Sequence, residues 1–149
     1  MSKQIVWIHG DALSPTNPAL LANDDAPAIF VWDEDLIAAY NLSLKRMVFM
    51  YECLLEMDVE IRRGSVAEEI LIFALEHDAD EIATVETPAP QFGRIALALT
   101  RAGKKVTVFR PKPFINTDKT FDLKRFSRFW RKAKPFARHH SSQMRLLKE

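Results

Sequence analysis

The residues able to do chemistry fall at the ends of apolar runs. His9, Gly10 and Asp11 follow Ile5-Val6-Trp7-Ile8, and Asp33 follows Ala28-Ile29-Phe30-Val31-Trp32. Glu86 follows Glu81-Ile82-Ala83-Thr84-Val85, and Arg94 lies in the next segment. An imidazole and carboxylates at such junctions can hydrogen-bond a small ligand, with Trp7 or Trp32 beside a planar ring. The same residues also suit turn chemistry, in which Asp caps the following helix or satisfies loop amides. Residue types alone leave both readings open.

Other chemistries find less support. No Ser-His-Asp or Cys-His set follows from spacing, so no catalytic residue is assigned. The single cysteine, Cys53, cannot form an internal disulfide or a multi-thiolate metal site, and within an apolar helical pattern it reads as a buried thiol. His77 reads as a helix C-terminal residue and His139 and His140 as tail residues, so no metal is expected. The four glycines, Gly10, Gly64, Gly93 and Gly103, are not clustered. A dinucleotide fingerprint or P-loop needs them close together so that backbone can approach phosphate. Nucleotide binding by another geometry stays open, and transfer at a nucleotide α-phosphate is the weakest reading.

The elements that must position these residues alternate. The first two apolar runs are continuous, as in strands buried on both faces of a parallel sheet. Val59-Glu60-Ile61-Arg62, Glu81-Ile82-Ala83-Thr84-Val85 and Lys105-Val106-Thr107-Val108-Phe109 are further strands. Between them, Leu44, Met47, Val48, Tyr51, Leu54 and Leu55 recur at helical spacing behind Ser43, a candidate N-cap. Val66, Ile70, Phe73, Ala74 and His77 do so behind Ser65, which with Glu68 has capping-box spacing. Phe92, Ile95, Ala96 and Leu99 form a third helix, stopped by Gly103 at C′. The expectation is an α/β fold: a Rossmann-like, parallel five-stranded sheet flanked by helices with right-handed crossovers. Ligands of such sheets bind beyond the strands' carboxyl ends, which places His9, Asp11, Asp33 and Glu86 along one rim.

Pro111 and Pro113 end this pattern, so the expected division is a domain of residues 1–112 and a C-terminal basic extension of residues 113–149. Phe126, Phe129, Trp130 and Ala133 then share one face of a helix, with Lys124, Arg125, Arg128, Arg131 and Lys132 opposite. The stretch from about His139 has weak periodicity and is expected to fray. The chain's 149 residues and 48% apolar content suit a globular domain that needs no staple. Its net charge of +1 hides a division. Residues 1–100 carry 6 Lys/Arg against 17 Asp/Glu, whereas residues 101–149 carry 15 against 3. No apolar run approaches the roughly 20 residues that span a bilayer, and no signal-peptide pattern opens the chain, so a cytoplasmic location without membrane partners is expected.

Several of these segments, in order, resemble DNA photolyases and cryptochromes. Val6-Trp7-Ile8-His9-Gly10-Asp11-Ala12-Leu13 with Asn17-Pro18-Ala19-Leu20 is similar to the family's opening strand, basic-Asp-Leu turn and Asn-Pro-Ala-Leu. Phe30-Val31-Trp32-Asp33 with Asp35-Leu36 resembles its second strand and acidic exit. Arg46, Phe49, Met50 and Leu54 resemble its next helix, and Arg62-Arg63-Gly64-Ser65-Val66-Ala67-Glu68 its Arg-Gly-Asp-Pro-x-Glu turn. Ala79-Asp80-Glu81-Ile82 and Phe126-Ser127-Arg128-Phe129-Trp130-Arg131 complete a set covering roughly residues 4–132. Where the family has Arg-Arg-Asp, this chain has His9-Gly10-Asp11, and it lacks the Arg/Asp cluster after the fourth strand.

The resemblance implies the Rossmann-like antenna domain alone, without the helical domain that holds the catalytic flavin, so self-contained photorepair is not expected. It implies a flavin, deazaflavin, folate or nucleotide-like ligand at the strand carboxyl ends, near His9, Gly10, Asp11, Trp32, Asp33, Glu86 and Arg94. The alternative is an interaction module: Phe126, Arg128, Phe129, Trp130 and Arg131 would dock on another copy, a separate protein or the acidic body. Nucleic-acid binding through the same basic face is a third reading, disfavoured by the acidic body.

Overall fold

The computed structural model describes residues 3–111 and 113–137. The chain divides into two compact units, residues 1–111 and residues 112–149. The first is a five-stranded, wholly parallel sheet flanked by helices. Its strands are β1 (Gln4–Ile8), β2 (Ala28–Trp32), β3 (Glu60–Arg63), β4 (Glu81–Val85) and β5 (Lys105–Phe109). Its helices are α1 (Pro18–Leu21), α2 (Glu34–Ala39), α3 (Leu44–Leu55), α4 (Val66–Glu76) and α5 (Pro90–Arg101). The α/β expectation holds, and the continuous apolar runs have the predicted cause. Alternate residues of β1 enter two cores: Ile5 and Trp7 pack beneath α4 and α5, whereas Val6 and Ile8 pack beneath α1 and α3.

The strand order is β3-β2-β1-β4-β5. The chain starts at mid-sheet, steps outward to β3, then returns across the sheet to β4 and steps outward the other way. The order therefore reverses between β1 and β4, where diverging loops open a crevice at the carboxyl edge.

Local signals account for most element ends. Ser43 Oγ accepts a hydrogen bond from Arg46 N–H at 3.3 Å and caps α3. Gly103 follows α5 with φ +86°, the left-handed geometry of a C′ residue. His77 ends α4, its ring centroid 4.3 Å from that of Phe73. At the β3 edge, Arg62 bonds to Glu60 at 2.6 Å and to Glu76, and its guanidinium lies 5.1 Å from the Phe73 ring centroid.

Three local readings are corrected. Ser65 makes no capping hydrogen bond at α4; Asp33 takes that place, as described below. Cys53 is only partly buried. The apolar pattern of α3 does not form one core face: Met50 and Leu54 are buried, but Leu44, Val48, Tyr51 and Leu55 are exposed. Two apolar stripes share that helix, and periodicity merged them.

The second unit contains α6 (Phe126–Ala133), followed by a 3₁₀ turn, Lys134–Phe136. Ile115 pairs with Ala137 in an antiparallel bridge, and Asn116 N–H donates to Phe136 O at 3.0 Å. Phe121 meets Phe129 edge-on, and the Trp130 ring lies parallel to those of Phe114 and Phe126. Ala133 is buried, while Arg128, Arg131 and Lys132 are exposed, giving the expected basic amphipathic helix. His139, His140 and the expected fraying tail lie outside the described residues.

Candidate functional site

A cleft of about 470 Å³ occupies the crevice at the carboxyl ends of β1, β2 and β4. That volume lies within the range of small-molecule sites. Its wall is mainly apolar and aromatic: Trp7, Phe30, Trp32, Tyr40 and Phe92 line it, with Leu36, Ile37 and Ile95. Trp7 and Phe92 stack with centroids 5.4 Å apart and planes 14° apart, and the His9 ring stands edge-on to both. β1 supplies Trp7 and the turn carrying His9, while the first turn of α5 supplies Phe92. The aromatic wall is therefore assembled across the reversal point.

The polar groups are few and already engaged. His9 Nε2 lies 2.8 Å from Val85 O. A carbonyl only accepts, so Nε2 carries the proton. Nδ1 then accepts from Asp11 N–H at 3.3 Å, which selects the neutral tautomer. Burial pushes the His9 pKa below 6.5, against the opposing pulls of the Val85 carbonyl and the Asp11 charge. Asp11 Oδ2 accepts from Thr87 Oγ1 at 2.6 Å, joining the loops after β1 and β4. Thr87 Oγ1 accepts in turn from Ala89 N–H at 3.1 Å. Arg46 of α3 lies 3.7 Å from Asp11 Oδ1, where both side chains are about half exposed. Gly10 lets this turn lie close to α3, since a Cβ there would stand 2.7 Å from Met50 Cε.

Asp33 does double duty as a cap. Its Oδ1 accepts from Asp35 N–H at 3.0 Å and Leu36 N–H at 3.2 Å, closing the start of α2. Its Oδ2 accepts from Val66 N–H at 3.2 Å, the first residue of α4. One carboxylate thus faces two helix N-termini, whose partial positive charge favours an anion.

The cleft brings together His9, Gly10, Asp11, Trp32 and Asp33, and leaves Glu86 and Arg94 outside. Glu86 lies just past the end of β4, is exposed, and its Oε2 meets Arg110 Nε at 3.1 Å. Arg94 is exposed on α5. Sequence reasoning did not assign Tyr40, Arg46, Thr87, Gln91 or Phe92 to the site. Gln91 is the most informative of these. Its Oε1 is buried at the cleft and has no hydrogen-bond partner among the described residues. Pro90 ahead of it marks a helix start, the one sequence signal that this turn faces the carboxyl edge.

Among the described residues no cluster of three or more His, Cys, Asp or Glu could hold a metal ion. No helix among them is long and apolar enough to cross a membrane. Comparison with protein-family models, curated proteins and solved structures finds no match to this chain.

Proposed function

We propose that this protein is a photolyase antenna-like domain that binds a planar heteroaromatic ligand, of flavin, deazaflavin or folate type, in the cleft at the β1/β4 reversal. The observation that carries the reading is the aromatic wall: Trp7, Phe92, His9 and Trp32 converge there around about 470 Å³ of open space. Flat aromatic surfaces with few polar groups favour a flat ligand. The role is binding rather than turnover. Both His9 nitrogens are committed to hydrogen bonds, and Asp11 and Asp33 are committed as acceptors. None of the three is poised as a general base, which must reach a substrate proton. Absorption and fluorescence titrations with a flavin and a reduced folate test this. Saturable binding of either, with quenching of tryptophan emission, is expected; the absence of binding to both overturns it.

A second reading concerns the second unit. Phe114, Leu123 and Phe126 are 61%, 77% and 72% exposed, beside the exposed cations Arg128 and Arg131. An apolar patch rimmed by one sign of charge suits association with an oppositely charged surface. The acidic residues of a second copy supply one.

A further inference from the structure

The α3 helix leaves one apolar stripe uncovered. Met50 and Leu54 pack into the core, while Leu44, Val48, Tyr51 and Leu55 are between 48% and 72% exposed. These four recur at intervals of four, three and four residues. At about 100° per residue they fall within about 60° of one another, roughly 110° round the helix from the buried pair. Alternating steps of four and three make the seam along which two helices pack lengthwise. Contiguous exposed apolar side chains of this kind mark an interaction surface.

The charges of α3 say what covers it. Lys45 and Arg46 stand in the first turn, Glu52 in the last turn and Glu56 at the C-cap. A helix macrodipole favours the reverse, with anions at the start and cations at the end. Arg46 lies near Asp11, but Lys45, Glu52 and Glu56 are exposed and have no ion-pair partner among the described residues. An antiparallel neighbour of the same sequence corrects this arrangement. Its acidic end lies beside the basic start of α3, and its own basic start beside the acidic end.

The register fits as well. Lys45 and Glu52 are seven residues apart and flank the stripe on one side. A two-fold rotation sets Leu44 against Leu55, Val48 against Tyr51, and Lys45 against Glu52, each pairing made twice. A parallel pair sets Lys45 against Lys45 and Glu52 against Glu52, and like charges facing each other oppose that orientation.

We infer that a second copy of this chain docks on the α3 stripe, forming a two-fold dimer with antiparallel α3 helices at its centre. The contact is self-complementary, so it closes at two copies. With 12 residues α3 is about 18 Å long, which is short for a standard interface, so the dimer is reversible. It differs in kind from association through the charged face of the second unit. Salt screens that contact, whereas the apolar seam survives it, so rising salt takes larger assemblies down to this dimer.

Sedimentation velocity of the full chain in about 1 M salt isolates the seam, because screening there acts within about 3 Å. A monomer–dimer equilibrium in the micromolar range is expected. Val48→Gln, Leu55→Gln replaces exposed side chains with good helix formers, and should weaken the dimer about tenfold or more while leaving the melting temperature of the dilute protein unchanged. In low salt, with the second unit neutralised by Arg128→Glu, Arg131→Glu, the further change Lys45→Glu should weaken the dimer several-fold. Adding Glu52→Lys to it should restore the dimer to within about twofold. A monomer at every concentration in high salt overturns the inference. So does a dimer indifferent to Val48→Gln, Leu55→Gln, which places the contact elsewhere, or a charge swap that fails to restore, which excludes the antiparallel pair.

Discussion

Asp33 Oδ2 accepts a hydrogen bond from Val66 N–H at 3.2 Å, so the exit of β2 caps a helix that begins more than thirty positions later. The same carboxylate caps α2 through Oδ1. Loss of an N-cap costs about 1 kcal/mol, so Asp33→Ala should destabilise the fold by roughly 2 kcal/mol. Ser65→Ala, at the position where sequence spacing places the cap, should stay within about 0.5 kcal/mol. Urea denaturation of the two variants checks the contrast, and equal losses would contradict the assignment.

His9 links pH to stability. Its folded pKa lies below 6.5 because it is buried, so the unfolded chain binds the proton more readily. Its contribution is therefore fully present above about pH 6.5 and declines as pH falls toward the folded pKa. His9→Gln, which can still donate to Val85 O, should flatten that part of the stability profile relative to wild type. Denaturation between about pH 7 and pH 5 measures it, and parallel profiles would count against a neutral, buried His9.

Gln91 Oε1 is buried without a hydrogen-bond partner among the described residues. An unsatisfied buried acceptor is a cost to the empty protein. Gln91→Leu, which removes that acceptor, should leave the melting temperature unchanged or raise it. A fall in melting temperature of several degrees would show instead that the amide is already satisfied.

The second unit is predicted to drive salt-sensitive self-association. Sedimentation at rising salt should show dissociation, as should the Arg128→Glu, Arg131→Glu double variant. A monomer at every protein concentration and in low salt contradicts this.

The sheet was legible because its strands are buried on both faces. Ile5-Val6-Trp7-Ile8 and Ala28-Ile29-Phe30-Val31-Trp32 read as strands without alternation, and the turns after them carry His9, Asp11 and Asp33 into the cleft. Less legible was what depends on tertiary choice. Ser65 and Glu68 have the spacing of a local cap, but a carboxylate from another strand reached the helix first. Glu86 stands at a strand end like His9, yet its side chain is exposed and pairs with Arg110 instead of entering the cleft. The two apolar stripes of α3 have the same period, so no spacing rule separates the buried Met50 and Leu54 from the exposed Val48 and Tyr51. Phe92 stood in a helical apolar pattern, and that pattern does not distinguish a residue that packs against the core from one that also lines the cleft, as Phe92 does.

The central claim is that a flat ligand lies against Trp7, His9 and Phe92 at the β1/β4 reversal. An amide-resolved NMR titration with riboflavin tests it most directly. Saturable shifts are predicted, concentrated at Gly10, Asp11, Asp33, Gln91 and Phe92, with the amides of β5 unmoved. No saturable shift, or saturable shifts within the first unit that spare Gly10, Asp11, Gln91 and Phe92, would contradict it.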